Sequence, residues 1–203
     1  MIVNNIDLIK PLLHFEPNHK SVILVWLVSR KKDGSTKVLG SNRVRTIKSY
    51  YIYSMDHLDE KLNEMKQLCS LFKCRAYICV QPKHINKVIL NLHRISTDAI
   101  EGLFSADTKI HLNGFLDSAV AKSPAIAKYK YWVIDIDTQD REYINKIKEY
   151  ILTCRSSSSD IILAEIPTVS GVHLITRPFD CSNFSFENAE VKKHGLTLLY
   201  YES

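Results

Sequence analysis

Apolar and polar positions alternate along this chain with two periods, and the changes of period mark its elements. Ser21 to Arg30 (SVILVWLVSR) is strongly apolar and β-branched, which predicts a strand. Lys31-Lys-Asp-Gly-Ser35 follows as a hairpin turn, with Asp-Gly suited to positive φ angles. Lys37–Gly40 and Arg45–Ser54 continue as strands. Asp56 opens a helix whose Leu58, Leu62, Met65, Leu68 and Phe72 run down one face. Cys74 to Val80 is the next strand, ended by Pro82. Residues 83–104 predict a second amphipathic helix, with Ile85, Ile89, Leu92, Ile95 and Ile100 on its apolar side. Ahead of these, residues 5–15 predict a short helix interrupted at Pro11. The first half is therefore expected to be a small sheet with two helices against it.

Gly114, Ser118, Ser123 and Pro124 interrupt weak helical segments in the connecting region, residues 105–127. The boundary between two lobes falls there. A small N-terminal α/β lobe takes residues 1–110 and a C-terminal lobe residues 111–203, together one compact unit. The second half reads as a strand (131–137), a helix (140–153), a serine-rich turn (Ser156 to Ser159) and a strand (Ile161–Ile166). After a turn at Pro167 come a strand (Val172–Thr176), an irregular or helical piece (182–189) and a last strand (Leu196–Tyr201). This β-α-β-β-(α)-β order predicts a split βαβ layout, RRM-like or ferredoxin-like, and an α+β fold class overall.

The richest stretch chemically is Lys128-Tyr-Lys-Tyr-Trp-Val-Ile-Asp-Ile-Asp-Thr138. Side chains alternate along a strand, so Trp132, Ile134 and Ile136 share one face and Val133, Asp135 and Asp137 the other. Two carboxylates at i and i+2 suit a shared divalent cation bound through oxygen. Without a cation their charges repel. The plainer alternative is that they are solvated turn residues ahead of the helix. A second stretch, Ile166-Pro-Thr-Val-Ser-Gly-Val-His-Leu-Ile-Thr176, carries His173 on an apolar strand behind a turn. If this strand pairs near the first, His173 can face the aspartates. Gly171 would let a phosphate approach the backbone closely, and Thr168 and Ser170 would add hydroxyl donors. The alternative here is a hairpin with an incidental histidine.

Composition narrows the setting. The 203 residues are 45% hydrophobic, enough for a core without disulfides or structural zinc. The formal net charge of +5 favours phosphate-bearing partners. The five cysteines form no C-x-x-C pair and read as reduced thiols, which points to a cytoplasmic protein. Met1 to Leu13 lacks a basic segment followed by an apolar run, so no signal peptide is expected. No window approaches the length of a membrane span, so no membrane partner is expected.

The pairing of apolar-Asp-x-Asp (Val133 to Asp137) with a later Thr/Ser-x-x-Gly-apolar-His (Thr168 to His173) resembles the archaeo-eukaryotic primase superfamily, which includes the primase-polymerases. The resemblance covers the second half by motif and the first by general layout. It implies a palm on an RRM-like βαββαβ unit behind a smaller α/β lobe, as a minimal catalytic core. It implies metal roles, with Mg²⁺ or Mn²⁺, for Asp135, Asp137 and a third carboxylate, and phosphate contact for His173. Thr168 stands where the family usually has serine. For the third carboxylate, Phe179-Asp180 fits the letter pattern, but Asp180 would face away from His173 along a continued strand and Pro178 disturbs it. Glu190, before Val191, is the preferred candidate.

The expected activity is nucleotidyl transfer in DNA replication, with primers or DNA made from nucleoside triphosphates on a DNA template, or on RNA. The alternative is an inactive nucleotide- or nucleic-acid-binding protein with the same palm. Two other Asp-x-Asp readings fail on context. A haloacid-dehalogenase phosphatase needs Asp-x-Asp-Gly-Thr with much more chain after it, and a polymerase-β-type transferase needs a Gly-Ser turn shortly before the strand. The ligase-like Lys31-Lys-Asp-Gly34 sits in a hairpin turn. Basic residues concentrate around that hairpin, where Lys31, Lys32, Arg43, Arg45 and Lys48 are candidates for nucleic-acid contact, followed by Tyr50, Tyr51 and Tyr53. A solvated charged hairpin is the alternative. Arg75 is a further candidate for nucleic acid and Arg177 for the nucleotide.

Overall fold

The apolar run after Lys20 becomes the strand β2 (Ser21–Ser29), and the larger sheet is assembled around it. The computed structural model describes residues 1–30, 33, 45–104 and 114–202. Lys31, Lys32, Arg43, the expected strand Lys37–Gly40 and residues 105–113 lie outside the described residues. The other strands of this sheet are β1 (Ile2–Asn4), β3 (Arg45–Ile52), β4 (Cys74–Cys79), the short β5 (Lys83–His84) and β10 (Leu196–Glu202). Their order is β1-β10-β4-β2-β3, with β5 also paired to β2, and each pairing is antiparallel.

Alternation along β2 decides what covers each face. Ile23, Val25 and Leu27 pack into one core with Leu58, Met65 and Cys69 of α2 (Met55–Phe72). Val22 and Leu24 pack on the opposite face against Val88 of α3 (Ile85–Phe104) and Ala119 and Val120 of α4 (Phe115–Lys122). α2 starts where Ser54 Oγ accepts from the His57 N–H at 3.1 Å, which satisfies one of the helix's free donors. It stops at Lys73, whose φ of 47° is left-handed. The predicted N-terminal helix is a single turn, α1 (Ile6–Ile9), followed by a tight turn through Pro11.

The smaller sheet holds β6 (Trp132–Ile136), β7 (Ile162–Pro167), β8 (Val172–Thr176) and β9 (Ala189–Lys192) in the order β7-β8-β6-β9, again all antiparallel. Trp132, Ile134 and Ile136 face α5 (Arg141–Thr153), where they meet Ile144, Ile147 and Ile151. Asp140 caps α5 by accepting from the N–H groups of Glu142 and Tyr143. Ile134, Ile136 and the three α5 isoleucines are fully buried, each contributing roughly 1.5–3 kcal/mol of apolar burial. Val133, Ile166 and Ile175 point the other way and join the core of the larger sheet. The architecture is thus mixed α/β with antiparallel sheets packed on each other.

One expectation is corrected here. The last strand, 196–201 in the sequence reading, does not complete the second-half sheet. It forms β10 and pairs with β1 and β4 of the larger sheet. The fourth strand of the smaller sheet is β9, inside and just beyond the piece read as irregular or helical. β10 is almost wholly buried apolar, so it takes an interior position, whereas the short Ala-Glu-Val-Lys segment suits a half-exposed edge. All five cysteines are free thiols. No helix among the described residues is long and apolar enough to cross a membrane.

Candidate functional site

Strand register brings the chemistry together. In β6, Asp135 lies directly opposite His173 of β8 on one side and Glu190 of β9 on the other. Residues directly opposite in an antiparallel pair share a face. That face is the one carrying Val133, away from α5. Asp137 follows at the open end of β6, exposed, and its N–H donates to the Asn188 carbonyl at 2.9 Å.

Asp135 is held from two directions. His173 Nε2 lies 3.1 Å from Asp135 Oδ1. His173 Nδ1 lies 2.9 Å from Thr197 Oγ1 of β10. With its proton on Nε2, the imidazole donates to Asp135 and accepts from the Thr197 hydroxyl. The larger sheet therefore orients a side chain that belongs to the smaller one. Lys192 Nζ donates to Asp135 Oδ2 and lies 3.7 Å from Glu190 Oε2. Burial pushes the Asp135 carboxyl up, but the hydrogen bonds from His173 and Lys192 outweigh it and hold it well below the usual carboxylate range. Burial likewise pulls Lys192 down, and its bond to Asp135 more than compensates, so its ammonium is held above the ordinary lysine range.

The turn between β7 and β8 borders the same cleft. Thr168 N–H donates to the Gly171 carbonyl at 2.9 Å, and the Gly171 N–H donates to Thr168 Oγ1 at 3.0 Å. Ser170 Oγ donates to Asp137 Oδ1 at 3.3 Å. Gly171 is required for a reason other than phosphate approach. A Cβ there would lie 1.9 Å from the Ile136 carbonyl oxygen and 2.7 Å from the Thr138 nitrogen, so the close neighbour is the end of β6 itself. Its N–H is already committed to Thr168.

These groups line a cleft of about 380 Å³ between the two sheets. Asp135, Asp137, Thr168, Ser170, His173 and Lys192 come from the smaller sheet and its turn. Arg30, Arg75, Tyr77, Leu196 and Leu198 close it from the larger sheet. Arg30 Nη1 donates to the Tyr77 hydroxyl at 3.1 Å. Arg75, a candidate for nucleic-acid contact, is buried and paired in bidentate fashion with Asp33, at 2.7 and 2.5 Å.

Other candidates lie elsewhere. Asp180 is outside the cleft, its carboxylate accepting from the Ser182 N–H and hydroxyl. Arg177 leaves the far end of β8, 5.9 Å from the Tyr131 ring, and does not border the cleft. Lys48 is paired with Glu64 and lies 4.9 Å over the Tyr50 ring. Arg45 is exposed at the start of β3.

Two residues of the site were not among the sequence candidates for it. Lys192 had a signal, since Glu190 and Lys192 alternate onto one face of a short strand. Thr197 had another, a hydroxyl inside an otherwise apolar and aromatic strand. Among the described residues, no three His, Cys, Asp or Glu side chains gather closely enough to hold a metal ion in this arrangement. The oxygen donors still match a hard divalent cation in kind. In this arrangement the Lys192 ammonium occupies Asp135 Oδ2 with its side chain 41% exposed, and the Glu190 carboxylate is 73% exposed. No protein-family model, curated protein or solved structure matches the chain.

Proposed function

We propose that the cleft is a nucleotidyl-transfer site of the primase or primase-polymerase type, using nucleoside triphosphates and a DNA template, or RNA. The observation that carries this reading is the register of β6. It sets Asp135 between His173 and Glu190, with Asp137 and Ser170 at the open end of the same face. Carboxylates therefore occupy one part of the cleft, and hydroxyl and cationic groups the rest. The β7-β8-β6-β9 order, with α5 between β6 and β7, supports an RRM-like layout in which a short irregular segment stands for the second helix.

Asp135, Asp137 and Glu190 would hold Mg²⁺ or Mn²⁺ once Lys192 withdraws. When bound, the cation supplies charge neutralisation at the triphosphate and lowers the pKa of an attacking hydroxyl. His173, fixed by Thr197, would turn its Nε2–H from Asp135 to a phosphate oxygen once a cation takes that carboxylate, helped by Ser170 and Thr168 at the rim. Released from Asp135, Lys192 becomes a second positive group for the same phosphates, as Arg30 is from the other wall. Lys31, Lys32, Arg43, Arg45 and Lys48 would follow the template backbone. The free thiols fit a cytoplasmic setting.

The Lys192–Asp135 bond favours one further reading, a non-catalytic protein that binds nucleotide in the same cleft. Primer synthesis and extension with Mg²⁺ or Mn²⁺ separate the two. An enzyme yields products that vanish in Asp135→Ala plus Asp137→Ala. A binder gives saturable nucleotide binding in wild type and no product with either metal. Activity that survives the double substitution would overturn the assignment of the site.

A further inference from the structure

A second cavity, of about 370 Å³, opens on the larger sheet beneath α4. Its apolar wall comes from Leu24, Trp26, Val120 and Leu196, and Lys83 sits in the same wall. Lys83 is only 4% exposed. Its backbone is fixed by pairing with Val22 of β2 and by a bridge to Ala125. Its ammonium carries three donors, yet among the described residues its one hydrogen bond is a long one, 3.3 Å to Gln81 Oε1, and no carboxylate pairs with it. The Gln81 amide is held in place by its N–H groups, which donate to the Tyr131 and Lys193 carbonyls. Burial accordingly pulls the Lys83 ammonium below the ordinary lysine range.

The rest of the wall has the same bias. Trp26 has an indole N–H that is buried and, among the described residues, without a partner. The single Cys79 S–H has the His194 carbonyl at 3.2 Å and the Gln81 carbonyl at 3.6 Å as acceptors. Lys122 and His194, the remaining polar side chains, add no negative charge. The cavity therefore pairs an apolar body with a buried ammonium that no carboxylate compensates, a combination costly when empty. Its size falls within the range of small-molecule sites.

We propose that this cavity binds a medium-chain apolar acid, whose carboxylate pairs with Lys83 and whose hydrocarbon fills the space between Leu24, Trp26 and Val120. This inference rests on no part of the nucleotidyl-transfer reading, although Leu196 borders both cavities.

Calorimetric titration of the full chain with decanoate, decanol, decylamine and decyl phosphate, each below its micelle concentration, tests it. Decanoate should bind saturably and at least about tenfold more tightly than decanol, and decylamine should not bind. In Lys83→Met, decanoate should fall to the affinity of decanol, with decanol itself unchanged. Absence of saturable decanoate binding, equal affinity for decanol in wild type, or discrimination that survives in Lys83→Met would overturn the proposal. Tighter binding of decyl phosphate than of decanoate would overturn the choice of a carboxylate head. The wild-type comparison decides the matter even if the variant fails to fold.

Discussion

Two ion-paired clusters face the same cleft, and they are built for opposite ends. Arg75 of β4 and Asp33, beyond the end of β2, form a bidentate pair whose side chains are 6% and 4% exposed. Asp135 in the smaller sheet is 19% exposed, and its partner Lys192 is 41% exposed. The first pair is sealed, so neither charge is open to exchange with a ligand. The second has one buried partner, His173, and one more exposed, Lys192, at the cleft's edge. A buried pair costs nearly as much desolvation as it returns in attraction, so its persistence speaks for fixed geometry. A partly exposed pair is screened by water and costs less to exchange for another cation than a sealed one. The comparison locates the exchangeable chemistry at Asp135 and assigns Arg75 to holding the wall.

Breaking the sealed pair should have the largest effect on stability. Arg75→Met leaves Asp33 buried without a partner and should cost about 3–5 kcal/mol in urea unfolding. Arg75→Met combined with Asp33→Asn should recover much of that loss. If the single variant unfolds at the wild-type midpoint, the pair is not sealed.

The turn beside Asp137 comes next. Gly171→Ala forces a Cβ into the backbone of β6, and the overpacking should cost about 3 kcal/mol. Unfolding together with nucleotide binding checks it, because the turn must move away from the aspartates. A variant with wild-type stability and affinity would show that the β7–β8 turn does not rest on β6.

The smallest effect is the pH dependence of the open pair. The folded carboxyl of Asp135 is held below its unfolded value, near 3.9. Its stabilising contribution is therefore complete above about pH 4 and is lost as pH falls toward the lower folded value. The stability gap between wild type and Asp135→Asn should narrow by on the order of 1–2 kcal/mol through that acid window. Urea midpoints at a series of acidic pH values check this, and a gap independent of pH would mean that His173 and Lys192 do not hold the charged form.

Much of this site was legible along the chain. The alternation in Val133 to Asp137 fixed which face carries the aspartates, because α5 supplies an isoleucine stripe for the other face. The spacing of Thr168 to His173 located the turn and the histidine. The helices over 55–72 and 141–153 follow from their apolar periodicity, while their caps, Ser54 and Asp140, read along the chain as the end of a strand and as the first residue of the helix. What could not be read was pairing at long range. The apolar composition of Leu196–Glu202 marks an interior strand, but nothing local says of which sheet. The choice depends on β1 and β4, more than a hundred residues away in sequence. With β10 misplaced, Thr197 could not be recognised as the support of His173. Lys192 escaped as Asp135's partner for a related reason, since a four-residue polar strand carries almost no periodic signal.

The site assignment meets its most direct test in Mn²⁺ binding followed by electron paramagnetic resonance, with a nucleoside triphosphate present. The expected result is saturable binding of the Mn²⁺–nucleotide complex by wild type. Binding should tighten in Lys192→Met, where the competing ammonium is gone, and be lost in Asp135→Asn plus Asp137→Asn while the fold persists. Equal Mn²⁺–nucleotide affinity in all three proteins would contradict a cation-exchangeable site at Asp135.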